Sequence, residues 1–273
     1  MSDANAGNAQ PGVLGRPVAS GLAVQTIKNP QSSARPVVFL DPGHGGVDEG
    51  TAGTTDTGEQ VTEKAMTLSV ALRTATILRA DGYTVALSRV DDSLPGLPAS
   101  AYTADGTMLT ADGVLTDLQR RIDEANASGA SVFLSMHFNA YSDPSVGGTQ
   151  TFYDSTRSFG AENLRFATLI QNTVISAFHQ QGYNVPDRGI ADDTQLQAES
   201  LGTLPSSYDH LVVLGPGLPG RLRPTKMPGA LCEGLFLSDP QEATIISQPA
   251  VQQLLAQAYA DAIEKFLTTR PSQ

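Results

Sequence analysis

Residues 36–46 read PVVFLDPGHGG. The apolar residues 36–40 predict a short buried β-strand, which the Asp41-Pro42-Gly43 turn would end. A helical pattern follows over residues 63–81 and stops at Asp81-Gly82, and residues 83–88 again have strand character. The chain is therefore expected to open as a βαβ unit.

Strand and helix patterns alternate through the rest of the chain. Further strands are predicted at 131–136, 149–153, 210–214 and 230–236, and further helices at 117–128, 160–181 and about 249–267. Such alternation is typical of a mostly parallel sheet covered on both faces. We expect a three-layer αβα fold of the α/β class with about six strands in its central sheet.

The chain of 273 residues is long enough for one large α/β domain. Residues 1–35 are rich in small and polar residues, which predicts a flexible leader, and residues 36–270 form the domain. A stretch rich in Gly, Pro, Ser and Thr indicates an insertion loop at 93–116.

The net charge of -11 and the absence of a Lys/Arg run argue against nucleic acid as a partner. No stretch approaches the roughly 20 apolar residues of a membrane span, and no export signal is visible at the N-terminus. The single cysteine, Cys232, lies in an apolar run and is expected to be a small buried residue.

Two histidines and two glutamates carry the strongest chemical signal. His44 follows the first strand, His137 ends the strand at 131–136, and Glu63 opens the first helix. Glu233 lies in the last apolar strand, where an unpaired carboxylate is costly to bury. Three such ligands that leave one coordination position open are typical of catalytic zinc, with a further carboxylate as base. Alternatively, His44 only caps its strand and Glu63 only favours its helix start.

The other histidines and the paired aspartates give weaker evidence of a functional site. His179 is expected on or near a helix surface, and His210 in a loop or at a strand edge with a smaller chance of lining a cleft. The pairs Asp91-Asp92 and Asp192-Asp193 are typical of solvated turns. The motifs GxSxG, HExxH, GxxxxGK[ST] and GxGxxG do not occur where those sites would need them.

The ordered series DPGHGG, SRxxD, LxxRxxxAN, SMHFNA, GTQTFY, RGI and TKMPGALCEGLFLSDP resembles the zinc-dependent N-acetylmuramoyl-L-alanine amidases of the Amidase_3 type. The match spans about residues 36–267. The resemblance implies hydrolysis of the amide between N-acetylmuramic acid and the L-alanine of the peptidoglycan stem peptide.

Carried over by position, the resemblance implies zinc ligands at His44, Glu63 and His137, and a catalytic glutamate at Glu233. The family's further polar residues fall on Arg121, Asn126 and Asn139. The resemblance implies that these three either orient the substrate or stabilise the structure. Glu233 would take a proton from water and pass it to the leaving amine.

Several points stay open from the sequence. The alternatives are another zinc peptidase acting on the stem peptide and a non-catalytic wall-binding or regulatory module. The loops at 93–116 and 191–223 are longer than the resemblance leads us to expect, so both are interpreted as insertions. They would either select the substrate or carry a group such as Glu199 that blocks the zinc until an activator protein binds. The chain is expected to be a monomer that acts on peptidoglycan in the cell envelope.

Overall fold

The computed structural model describes residues 35–196 and 204–269. The predicted leader, apart from Arg35, and Glu199 lie outside these residues. The strands are β1 (Val37–Pro42), β2 (Ala52–Thr54), β3 (Gln60–Thr62), β4 (Thr84–Leu87), β5 (Val132–Asn139), β6 (Thr149–Tyr153), β7 (Asp187–Asp192) and β8 (Gly229–Phe236). The helices are α1 (Glu63–Ala80), α2 (Ala111–Ser128), α3 (Gly160–Gln180), α4 (Pro240–Ser247) and α5 (Pro249–Thr268).

Six strands form one sheet in the order β4-β1-β5-β8-β6-β7. Strands β4, β1, β5 and β8 are mutually parallel, whereas β6 runs antiparallel to β8 and β7 runs parallel to β6. The expected six-stranded, mostly parallel sheet is thus confirmed. We call the edge at which β1, β5 and β8 end the carboxyl edge, and the other the opposite edge.

Helices cover one face of the sheet with a large apolar core. Helices α1, α3 and α5 pack there against alternate strand residues such as Leu40, Leu134 and Cys232. The intervening residues, including Phe39, Phe133 and Leu231, point to the other face. This alternation gives the three layers predicted from the sequence.

The second face is covered by α2 and by residues 204–228, which we call the 204–228 segment. Its side chains Val213, Leu214 and Leu222 are buried in the same cluster as Ile122 of α2. Much of the predicted insertion at 191–223 is therefore part of the packed core.

The predicted strand at 210–214 is wrong, since these residues form a turn in which the amides of Leu214 and Gly215 both donate to the carbonyl of Leu211. Their apolar character reflects burial against the sheet face. The sixth strand is β7, whose half-polar sequence DRGIAD gave no clear strand pattern.

Helix α2 begins at Ala111, earlier than the predicted start at 117. Thr110 caps it by accepting a hydrogen bond from the Gly113 amide at 2.9 Å. The first turn of α2 is polar, so the sequence pattern predicts a helix only from residue 117.

Across residues 35–196 and 204–269, every helix is too short or too polar to cross a bilayer.

Candidate active site

His44 lies in the turn that follows β1. Its backbone has a φ of 61°, a left-handed conformation that few side chains adopt, and Gly45 follows with a φ of 138°. The turn is held by the buried Arg121 of α2, whose Nη2 donates to the His44 carbonyl at 2.8 Å. Arg89 donates to the Pro42 and Gly43 carbonyls at 3.1 and 2.8 Å. The imidazole is therefore presented at the carboxyl edge by a fixed turn.

Glu63 is the first residue of α1 and is buried. Its Oε2 accepts from the Thr51 amide at 2.9 Å, and its Oε1 accepts from the Phe138 amide at 3.0 Å. The same two oxygens lie 3.1 Å from His44 Nε2 and 2.9 Å from His137 Nδ1. Glu63 thus stands between the two histidines, in a position fixed by backbone donors.

The close approach of these side chains depends on two glycines. A Cβ on Gly43 would lie 2.3 Å from the His137 ring, and a Cβ on Gly50 would lie 2.5 Å from Glu63 Oε2. One donor atom from each of His44, Glu63 and His137 lies within 4.8 Å of the others. Imidazole nitrogens and carboxylate oxygens are ordinary zinc ligands, so these residues could hold that ion.

The electrostatics of the cluster favour positive charge. Burial opposes the charged imidazolium of His44, but hydrogen bonds to Asp48 and Glu63 outweigh it and raise the pKa to about 10. Burial alone would raise the pKa of Glu63, whereas the two imidazoles hold that pKa well below its usual range. A cation is stabilised here, which is what a metal site requires.

Glu233 pairs with His137 in the β5–β8 register and with Gln150 in the β6–β8 register. Cross-strand neighbours point to the same face, so its carboxylate lies beside the histidine. Glu233 Oε2 is buried with no hydrogen-bond partner among the described residues. Burial raises the pKa of Glu233 to about 7, with a smaller contribution from Glu63. A carboxylate of this kind is able to accept and release a proton near neutral pH.

The three further residues suggested by resemblance occupy different surroundings. Arg121 is 1% exposed and binds Asp41, Asp117 and backbone carbonyls, and these contacts favour a structural role over contact with substrate. Asn126 bridges the Pro224 carbonyl and the Lys226 amide and is likewise structural. Asn139 is half-buried at the end of β5, on the carboxyl edge.

The remaining histidines and aspartates differ from one another. His179 is exposed on α3, as expected, with Nε2 2.8 Å from the Val185 carbonyl. Asp91 and Asp92 are exposed, as expected. Asp193 is fully buried beside His210, so the expectation of a solvated turn is wrong there, and His210 lies away from the carboxyl edge. Cys232 is buried, as expected.

Sequence reasoning gave no role to Asp48, Arg89 or Gln150. Asp48 Oδ2 lies 2.9 Å from His44 Nδ1, a contact that orients the ring. Its spacing of four residues from His44 was a usable signal. Arg89 belongs to the SRxxD motif, whereas the position of Gln150 beside Glu233 follows only from the strand register.

Histidine and glutamate donors that converge at the end of parallel strands, next to a separate proton-accepting carboxylate, characterise the metal-dependent α/β hydrolases. Residues 38–265 match the family model described as N-acetylmuramoyl-L-alanine amidase. The chain belongs to this family.

Three similar proteins illustrate the relationship. The amidase AmiC of Neisseria meningitidis serogroup B is 28% identical over 265 residues, which cover 91% of this chain and 57% of that protein. The germination-specific amidase of Bacillus subtilis is 28% identical, over 86% of this chain and 81% of its own. The crystal structure of an N-acetylmuramoyl-L-alanine amidase from Clostridium difficile 630 is 26% identical with a TM-score of 0.61, covering 88% of this chain and all of the other.

Proposed function

We propose that this chain hydrolyses the amide bond between N-acetylmuramic acid and the L-alanine of the stem peptide. The observation that carries the proposal is the placement of Glu233, with its unpartnered Oε2, beside the cluster of His44, Glu63 and His137. Membership of the amidase family supports peptidoglycan as the substrate.

The cluster of His44, Glu63 and His137 would hold a zinc ion. When bound, zinc supplies Lewis acidity that makes a water molecule more acidic and polarises the amide carbonyl. Neighbouring residues hold the side chains of Glu63 and His44 in the positions that such an ion would need. The Thr51 and Phe138 amides fix both oxygens of Glu63, and Asp48 fixes the ring of His44.

Glu233 moves the proton. It accepts a proton from the attacking water and donates it to the nitrogen that leaves with L-alanine, so that the amine departs neutral. Its burial keeps the carboxylate poised for both steps, because its pKa of about 7 permits either protonation state. Asn139 and Gln150 are both half-buried near the carboxyl edge and are positioned to contact the substrate.

Peptidoglycan places the reaction in the cell envelope or outside the cell. The expectations of an activator protein and of a monomer stay predictions.

The decisive experiment compares Glu233→Gln with the wild type on purified peptidoglycan. Loss of the proton carrier should lower the rate by at least about 100-fold while zinc content is unchanged. Glu59→Gln is the matched control, because Glu59 is an exposed glutamate outside the site. Products are separated by chromatography and assigned by mass spectrometry.

Free glycan strands together with intact stem peptides that begin with L-alanine would support the proposal. Shortened stem peptides that remain attached to muramic acid would instead indicate a peptidase. No turnover by the zinc-loaded wild type would point to a non-catalytic module. Equal rates for Glu233→Gln and the wild type would contradict the role of Glu233.

A further inference from the structure

A second group of metal-type donors lies at the opposite edge of the sheet. Asp154 follows β6, Asp193 follows β7, and His210 begins the turn in the 204–228 segment. Because β6 runs against β8, its end lies at the edge remote from the active site. Asp154 is four positions after Gln150, the neighbour of Glu233, and four residue steps along a strand correspond to about 13 Å.

The donor atoms of this group are close together. His210 Nδ1 lies 2.9 Å from Asp154 Oδ2 and 3.3 Å from Asp193 Oδ1. One ligand atom from each residue lies within 4.8 Å of the others, as in the cluster of His44, Glu63 and His137.

One oxygen in this group lacks a partner. Asp154 is fully buried, and its Oδ1 accepts from the Thr156 amide and hydroxyl, each at 2.6 Å. Its Oδ2 has no hydrogen-bond partner among the described residues, although it faces His210. A buried carboxylate oxygen without a donor is costly, so a ligand bound to Oδ2 would stabilise it.

The two carboxylates also make this place favourable for a cation. Asp193 is also fully buried, and one of its oxygens accepts from the Leu211 amide at 3.0 Å. Burial, with the neighbouring Asp154, raises the pKa of Asp193 to about 7. Arg157 is close enough to act on both carboxylates, but its described hydrogen bonds go to the carbonyls of residues 214, 215 and 225 and to Thr225 Oγ1.

We propose that Asp154, Asp193 and His210 bind a divalent transition-metal ion, with zinc as the best match. Two carboxylate oxygens and one imidazole nitrogen are borderline donors that suit zinc, whereas calcium and magnesium prefer sites built from oxygen alone. In tetrahedral coordination at about 2.05 Å, neighbouring donors are about 3.3 Å apart. The two separations from His210 Nδ1 need to change by a few tenths of an ångström or less.

The ion would connect parts of the chain that are distant in sequence. Asp193 and His210 are 17 residues apart in the sequence, and Asp154 lies directly after β6. An ion bound to all three would therefore link both residues to the end of β6. This site is distinct from the catalytic one and does not depend on the amidase reaction.

The test is the zinc stoichiometry of the folded enzyme, measured by calorimetric titration of protein freed of metal by chelation. The wild type should bind two equivalents, and His210→Asn should bind one while keeping full amidase activity. His44→Ala should also bind one, because it retains the second site. His179→Asn, which removes an exposed imidazole, is the matched control and should bind two.

One equivalent in the wild type that persists in His210→Asn would overturn the proposal, because that ion would not depend on His210. Two equivalents in His210→Asn would overturn it equally, since the second ion would then lie elsewhere. Asp193→Asn provides the same comparison if His210→Asn does not fold, and circular dichroism reports folding.

A second readout is independent of catalysis. In His44→Ala, zinc at about 100 times its Kd should raise Tm by about 5 °C, because an ion that binds only the folded state stabilises it. The same addition to the double variant His44→Ala/His210→Asn should leave Tm unchanged. An equal rise in both proteins would contradict the proposed site.

Discussion

Arg121 of α2 and Asp41 of β1 form a fully buried ion pair, with Nη1 2.7 Å from Oδ1. The same guanidinium donates to the carbonyls of Pro42 and His44 at 2.8 Å each. One side chain therefore connects the core of the sheet to the turn that presents the first histidine. The arginine acts on the site through the backbone and has no access to substrate.

The first prediction concerns this pair. Asp41→Asn should lower the free energy of unfolding by about 3 kcal/mol at pH 7, because it leaves a buried guanidinium with one charged partner fewer. Denaturant unfolding measures the change. Asp209→Asn, at an exposed position, should have almost no effect. A loss below about 1 kcal/mol for Asp41→Asn would show that Asp117 alone satisfies Arg121.

The second prediction is the acid dependence of stability. Burial raises the pKa of Asp41, but Arg121 and Ser88 outweigh it and lower the pKa to about 2. A lowered carboxyl pKa gives stability that is complete above about pH 4 and is lost as the pH falls towards 2. The shift corresponds to about 2 kcal/mol. The difference in free energy of unfolding between wild type and Asp41→Asn should therefore become smaller as the pH falls from about 4 to about 2. A difference that stays constant over this range would contradict the lowered pKa of Asp41.

The third prediction separates steric fit from backbone strain. Gly50→Ala should weaken zinc binding and activity by at least about tenfold, since the new Cβ would lie 2.5 Å from Glu63 Oε2. Gly58 has a similar positive φ of 86°, against 65° for Gly50, but open space where a Cβ would lie. Gly58→Ala therefore carries the strain without the clash, and its zinc affinity should match the wild type. Equal losses in the two variants would assign the effect to strain.

The fourth prediction concerns Asp48, which orients His44. Asp48→Asn should reduce zinc affinity by about 10- to 100-fold, because the partner of a metal-binding imidazole fixes its ring and tautomer. Activity should recover when zinc is supplied in excess. Asp56→Asn, at an exposed position in the turn between β2 and β3, serves as control. Activity that stays low at saturating zinc would indicate a different role for Asp48.

The fifth prediction tests the start of α2. Thr110→Ala removes the cap on the Gly113 amide and should cost about 1 kcal/mol of stability. The exposed Thr116→Ala, on the same helix, should cost much less. Thermal unfolding of the two variants measures the difference, and equal values would show that the cap contributes little.

Much of the fold could be predicted because its signals are local. The apolar run at 36–40, the turn at Asp41-Pro42-Gly43 and the helix from Glu63 each follow from neighbouring residues. The meeting of His44 and His137 follows from a general rule, since ligand sites lie at the carboxyl ends of parallel strands.

The parts that were missed depend on contacts distant in sequence. Residues 210–214 have a strand's composition because they are buried against the sheet. Strand β7 is half-polar because it is the outermost strand of the sheet. The burial of Asp193 could not be read from its neighbours, since His210 is 17 residues away and Asp154 follows a different strand, β6. The role of Gln150 beside Glu233 required the register of an antiparallel pair.

The reversed direction of β6 determines where the chain can be labelled. Residues 140–148 enter β6 from the carboxyl edge, which carries the active site, whereas β6 and β7 both end at the opposite edge, where Asp193 lies beside His210. The two functions of the sheet ends are therefore physically separate. A probe attached to an exposed residue at the opposite edge, clear of Asp154, Asp193 and His210, would leave the reactive residues at the carboxyl edge in place.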